Sequence, residues 1–245
     1  MGERGVSVTQ DIVKRLWGLC GVLRDDGVTY SEYVTELTYL LFLKMSAEIT
    51  TEGRIPPESR IPPEWRWNQL ARREGLDQLS HYKRALVALG DQSEKDSRGR
   101  KLKKDPVVLE IFADAVTRLR KPANLKTLTT AIDALDWFDA RKEGLGDLYE
   151  GLLQKNAEDK KSGAGQYFTP RPLIDCLIRL MQPALGERIQ DPAAGTGGFI
   201  VAAHRHVYEQ NDGLFGLDEG VAERQTSECY TLAELVPDTH RLCLM

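Results

Sequence analysis

The sequence predicts an all-helical domain over residues 1–160 followed by the opening of a parallel α/β domain over residues 161–245, an α+β/α/β combination. Three observations carry this. Apolar residues recur at helical spacing through much of the first 140 residues, and no alternating strand pattern appears before about residue 185. Gly163 and Gly165 then punctuate the chain at the boundary. Beyond them, Arg188-Ile189-Gln190 reads as a short strand running into Asp191, three glycines and an apolar helix, which is the order of a parallel α/β unit.

The elements follow in order. Ile12, Val13, Leu16, Cys20 and Leu23 give one apolar face to a helix over 9–25, which Gly27 stops. Thr29-x-x-Glu32 has the form of a capping box and opens a second helix, Ser31 to about Ile49. Val34, Leu37, Tyr39, Leu40, Leu41, Phe42, Leu43 and Met45 surround that helix almost completely, so it is expected at the centre of the domain. Residues 68–90 read as helix. Asp105-Pro106 caps another that runs to about Arg120, with Val108, Ile111, Phe112, Ala115 and Leu119 on one face. Further helices are expected over 125–138 and 146–158.

Composition narrows the function. With 29% charged and 41% hydrophobic residues the chain is ordinary for a soluble globular protein, and a cytoplasmic location is expected because no run is long enough to span a bilayer. The four cysteines form no C-x-x-C pair and the four histidines lack metal-site neighbours, so no metal is expected. A net charge of −4 gives no global support for nucleic-acid binding; any phosphate contact has to come from a local basic patch. Lys95, Arg98, Arg100, Lys101, Lys103 and Lys104 form one such run, although a charge run is more often a solvated loop. The repeats Ile55-Pro56-Pro57-Glu58 and Ile61-Pro62-Pro63-Glu64 are read as polyproline-like loop.

Asp191-Pro192-Ala193-Ala194-Gly195-Thr196-Gly197-Gly198 carries most of the functional information. Glycines let the backbone approach a ligand where strand meets helix N-terminus. A dinucleotide fingerprint beginning at Gly195 needs glycine at 200, where the chain has Ile200. No glycine here opens the Gly-Lys-Ser/Thr of a phosphate-binding P-loop either. The remaining common reading of acid-Pro-x-x-Gly-x-Gly is S-adenosylmethionine, whose cationic groups suit a strand-end carboxylate. In Thr169-Pro170-Arg171 the threonine is placed to cap a helix with an apolar face of Leu173, Ile174, Leu177, Ile178 and Met181. Two acids compete to hold a ribose. Asp218 follows Leu214-Phe215-Gly216-Leu217, a plausible short strand, whereas Glu234 precedes Val236-Pro237 and a helix start, which favours Glu234.

Ser162-Gly163-Ala164-Gly165-Gln166-Tyr167-Phe168-Thr169-Pro170-Arg171-Pro172, then Asp191 to Gly198, then Glu234-Leu235-Val236-Pro237-Asp238-Thr239 together resemble the modification subunit of type I restriction-modification systems. The resemblance implies an all-helical N-terminal domain and an incomplete Rossmann-like methyltransferase domain that uses S-adenosylmethionine to methylate adenine N6 in DNA. It implies that Gln166, Tyr167, Phe168, Thr169, Pro170 and Arg171 contact the methionine part of the cofactor. Asp191, Gly195, Thr196, Gly197, Gly198 and Glu234 would bind the rest. It also implies partners: DNA, a specificity subunit, a restriction subunit and a second modification subunit. The family's Asn-Pro-Pro-aromatic catalytic motif is absent from the 245 residues, so no catalytic residue is assigned and the chain is read as truncated and inactive alone. A non-catalytic module that docks on the specificity subunit is the alternative.

Overall fold

The computed structural model describes residues 8–24, 26–51, 61–93, 105–135 and 169–244. By internal contacts the chain divides into two units, Met1–Lys161 and Ser162–Met245. The expected helix over 146–158, the glycines at 163 and 165, the first Ile-Pro-Pro-Glu repeat and the basic run from 95 to 104 lie outside the described residues. Among the described residues no helix is long and apolar enough to cross a membrane.

In the first unit, α1 (Val8–Gly18), α2 (Cys20–Arg24) and α3 (Tyr30–Thr51) come first. The capping box forms at the head of α3: the Thr29 N–H donates to Glu32 Oε2 at 2.9 Å and the Glu32 N–H to Thr29 Oγ1 at 3.4 Å. Leu37, Leu40, Leu41 and Leu43 are completely or almost completely buried, so α3 is the central helix its all-round apolar pattern predicts. Each such leucine contributes about 1.5–3 kcal/mol through burial alone. Against α3 pack α4 (Trp67–Ala71) and α7 (Pro122–Asp133), and α5 (Gly75–Gly90) packs on both of these and on α6 (Pro106–Ile111). Tyr39 and Phe42 of α3 meet Phe112 at ring-centroid distances of 5.6 and 5.8 Å.

Four helix expectations need correction. The helix over 9–25 is broken at Leu19 into α1 and α2. The helix over 68–90 is broken between α4 and α5, where Glu74 is extended and Gly75 adopts φ +60°. The helix predicted over 125–138 ends at Asp133.

The helix from Asp105 stops at Ile111 instead of reaching Arg120, because Asp114 takes a left-handed φ of +53°. Two buried acids then hold the backbone that follows. Glu36 accepts from Thr117 Oγ1 at 2.9 Å and from the Arg118 N–H, and Asp26 accepts from the Lys121 N–H at 3.1 Å. Tertiary hydrogen bonds replace helical ones, and Phe112, Ala115 and Leu119 still reach the core.

Lys44 is buried on α3, where its ammonium lies 2.7 Å from both Glu48 and Asp133. The indole Nε1 of Trp67 donates to the same Asp133 oxygen at 2.9 Å. Burial works against the lysine charge, yet the bonds to Asp133 and Glu48 outweigh it and raise its pKa.

In the second unit, α8 (Arg171–Met181) precedes β1 (Ile189–Asp191) and α9 (Gly198–Gln210). Then come α10 (Glu219–Ser227), β2 (Tyr230–Leu232) and α11 (Pro237–Cys243). The strands pair in parallel, Ile189 with Tyr230, Gln190 with Thr231 and Asp191 with Leu232. Gln225 fixes this register from α10: its Oε1 accepts from the Gly186 N–H at 2.6 Å and its Nε2 donates to the Tyr230 hydroxyl at 2.7 Å. The strand over 188–190 is thus found one residue later.

The apolar run after the glycines buries Ile200, Ala202 and Ala203, while Val201 faces out. Thr169 does not occupy the cap position of α8; Pro170 does, and it makes no side-chain capping bond. Of the apolar face expected on α8 only Ile174 is buried, and Leu173, Leu177 and Met181 are exposed. The stretch 214–217 is a 3-10 turn and bend rather than a strand, with left-handed φ at Leu214 and Gly216.

Candidate functional site

The loop Asp191 to Gly198 runs from the end of β1 to the first turn of α9, and backbone pairing continues past the ends of the strands. The Ala233 N–H donates to the Asp191 carbonyl and the Ala194 N–H to the Ala233 carbonyl, each at 2.9 Å. The two loops beyond the parallel strands are therefore laid side by side, which brings Glu234 to the glycine turn. Glu234 Oε2 accepts from the Gly195 N–H at 2.8 Å, and Oε1 accepts from the Val236 N–H at 2.7 Å. Asp191 Oδ1 accepts from the Ala193 N–H at 3.1 Å. Two carboxylates thus flank one glycine loop, an arrangement that favours a ligand carrying positive charge or hydroxyl donors.

The glycines answer different demands. Gly195 has φ +57°, and a Cβ there would meet nothing within 4 Å among the described residues, so that side of the loop is open to them. Gly197 has φ +79°, and a Cβ would stand 3.3 Å from both Cys243 Sγ and Leu232 Cδ2, so its side is closed. At Gly198 a Cβ would approach Ile174 Cδ1 to 3.1 Å, which is where α8 packs against the start of α9. Arg171 bridges the same junction, with Nη1 donating to the Gly198 carbonyl at 3.5 Å.

Of the residues singled out from sequence, the structure gathers Arg171, Asp191, Gly195, Thr196, Gly197, Gly198 and Glu234. Thr169 and Pro170 lie just ahead of α8; Gln166, Tyr167 and Phe168 lie outside the described residues. Asp218 is elsewhere engaged: it caps α10, its Oδ1 accepting from the Gly220 N–H at 2.9 Å. Sequence reasoning missed Leu232 and Cys243, which close the inner side of the glycine loop. Burial raises the Cys243 pKa, and the charges of Glu234 and Asp191 raise it further, so the thiol stays protonated near neutral pH. A lone cysteine in an apolar stretch carries no signal that could have revealed this.

Comparison with known proteins places this geometry in a family. The model of the N-6 DNA methylase family matches residues 140–245, and that of the HsdM N-terminal domain matches residues 12–132. Over 239 residues, 96% of the chain, it is 44% identical to the type I restriction enzyme StySJI methylase subunit of Salmonella typhimurium. The chain belongs to the family of type I restriction enzyme methylase subunits. The EcoKI methylase subunit of Escherichia coli K12 is 43% identical over the same length. In both cases the match spans 42% of the relative, so the chain covers less than half the length of these methylase subunits. A crystal structure of a modification subunit from Vibrio vulnificus YJ016 shares the fold, with a TM-score of 0.70 at 20% identity over 99% of this chain and 54% of that one.

Proposed function

We propose that this chain holds S-adenosylmethionine in the cofactor half of a type I adenine-N6 DNA methyltransferase, on a Rossmann-like domain of which it carries the first two strands. The observation behind this reading is the Glu234 carboxylate bonded to the Gly195 N–H at the ends of parallel β1 and β2. A carboxylate fixed there has lone pairs left to accept from both ribose hydroxyls. Asp191 sets the opposite side of the loop, and the open face at Gly195 leaves room for the ligand to approach the backbone. Arg171 ties the head of α8 to the loop, and the family resemblance assigns Gln166 to Arg171 to the methionine part of the cofactor. Thr196, Gly197 and Gly198 form the rest of the cradle.

Bound cofactor would supply the methyl group, held on a site whose negative charge suits a sulfonium. The 245 residues contain no Asn-Pro-Pro-aromatic tetrapeptide to receive a flipped adenine. Methyl transfer would then depend on such a motif being supplied to this site, and the proposed partners, in the cytoplasm, are DNA, a specificity subunit, a restriction subunit and a second modification subunit. Equilibrium dialysis with labelled S-adenosylmethionine tests the first step and a methyl-transfer assay on DNA the second. Saturable binding without transfer by the chain alone is the expected result. Absent binding with retained affinity for a specificity subunit would support an assembly module instead.

A further inference from the structure

We propose that the corner between α4 and α5 of the helical unit is a contact surface for the DNA backbone, with Arg72 and Arg84 meeting phosphates beside the tilted ring pair of Trp65 and His81. Trp65 sits half-buried in the 3-10 turn before α4 and lies against His81 of α5, ring centroids 5.2 Å apart at 37°. That pair fixes the corner. Beside it stand Arg72 and Arg73, which follow α4, and Arg84, one turn past His81; burial lowers the His81 pKa, and the three arginine charges lower it further against the charge of Asp77.

Two of the three arginine charges at this corner have no carboxylate partner among the described residues. Asp77 is engaged by Arg73 at 3.3 Å, and Glu74 by Lys126 at 3.2 Å. Arg72 and Arg84 are exposed, and among the described residues no carboxylate pairs with either; Arg84 donates from Nε to the Ser80 carbonyl of its own helix at 3.4 Å. Two guanidinium groups with exposed donors beside a rigid aromatic base suit phosphate oxygens, which they can bind in a bidentate manner. For a chain with a net charge of −4, such a local patch is also what any contact with duplex DNA requires.

This surface belongs to the other unit from the cofactor loop, and its assay contains no S-adenosylmethionine, so the two readings fail separately. The test measures fluorescence anisotropy of a labelled duplex of arbitrary sequence against the 245-residue chain over a salt series. Replacing Arg72 and Arg84 together by glutamine should weaken binding roughly tenfold at low salt and flatten the slope of log K against log salt by about 1.8, the share of two phosphates. Arg179→Gln, an exposed charge on α8, should leave the slope unchanged. Circular dichroism confirms that the variants fold. A wild-type chain that does not bind duplex, or an Arg72/Arg84 variant with unchanged affinity and slope, overturns the proposal.

Discussion

Glu234 Oε2 accepts a hydrogen bond from the Gly195 N–H at 2.8 Å across 39 residues of sequence. The bond exists because β1 and β2 are parallel and in register, so that both strand ends face the same way and their loops lie together. One side chain thereby links the conformation of the glycine loop to the position of the second strand.

The two left-handed glycines should respond differently to alanine. At Gly197 the added methyl meets Cys243 and Leu232, and the backbone is also strained, so Gly197→Ala should destabilise the second unit by about 2 kcal/mol. At Gly195 the methyl meets no described atom and only the backbone term of about 1 kcal/mol remains, but it would project toward the proposed cofactor. Thermal unfolding should rank Gly197→Ala as the less stable variant. Cofactor titration should show weakened binding for Gly195→Ala even where that variant is fully folded.

Asp218→Asn should be nearly silent for cofactor affinity, because the carboxylate caps α10 rather than ending a strand and asparagine caps equally well. Asp218→Ala should cost about 1 kcal/mol of stability and again spare binding. A loss of cofactor affinity in Asp218→Asn would return that residue to the site.

Glu36 makes stability depend on pH. Burial pushes its pKa from 4.5 up to about 7, against the hydrogen bonds from Arg118 and Thr117. The folded pKa lies above the unfolded one, so the stabilising effect is complete below about pH 4.5 and is lost as pH rises through 7. The loss amounts to roughly 3 kcal/mol. Urea denaturation at pH 5 and pH 8 should show the decrease, and Glu36→Gln, which keeps an acceptor for Arg118, should largely abolish it. An equal slope in both proteins contradicts the assignment.

Asp133→Ala should cost about 2 kcal/mol, because it leaves the Lys44 ammonium with Glu48 alone and the Trp67 N–H without its acceptor. Asp133→Asn retains an acceptor and should recover part of that loss. Denaturant midpoints of the two variants check the order.

Local rules made much of this legible from sequence. The capping box, the all-round apolar α3, the strand before Asp191 and the glycine loop each follow from residues close together in the chain. What escaped depends on tertiary partners. The segment after Ile111 has helical periodicity, yet Glu36 and Asp26, some 80 and 95 residues earlier, bind its backbone in another conformation. Leu214 and Phe215 look like strand residues, but an adjacent turn with left-handed φ removes them from the sheet. At the glycine loop, Glu234 is legible as a candidate because its motif is local, and the structure adds its hydrogen bond to Gly195. The roles of Leu232 and Cys243 are not, because nothing short of the fold brings them under Gly197.

Isothermal calorimetry of S-adenosylmethionine with the wild-type chain and with Glu234→Gln tests the central claim most directly. The wild type should bind one equivalent, and Glu234→Gln should remain folded but bind about 10- to 100-fold more weakly, the worth of one charge-assisted hydrogen-bond set. Equal affinity in the two proteins, or no heat from a folded wild type, would contradict the assignment of Glu234 and its glycine loop as the cofactor site.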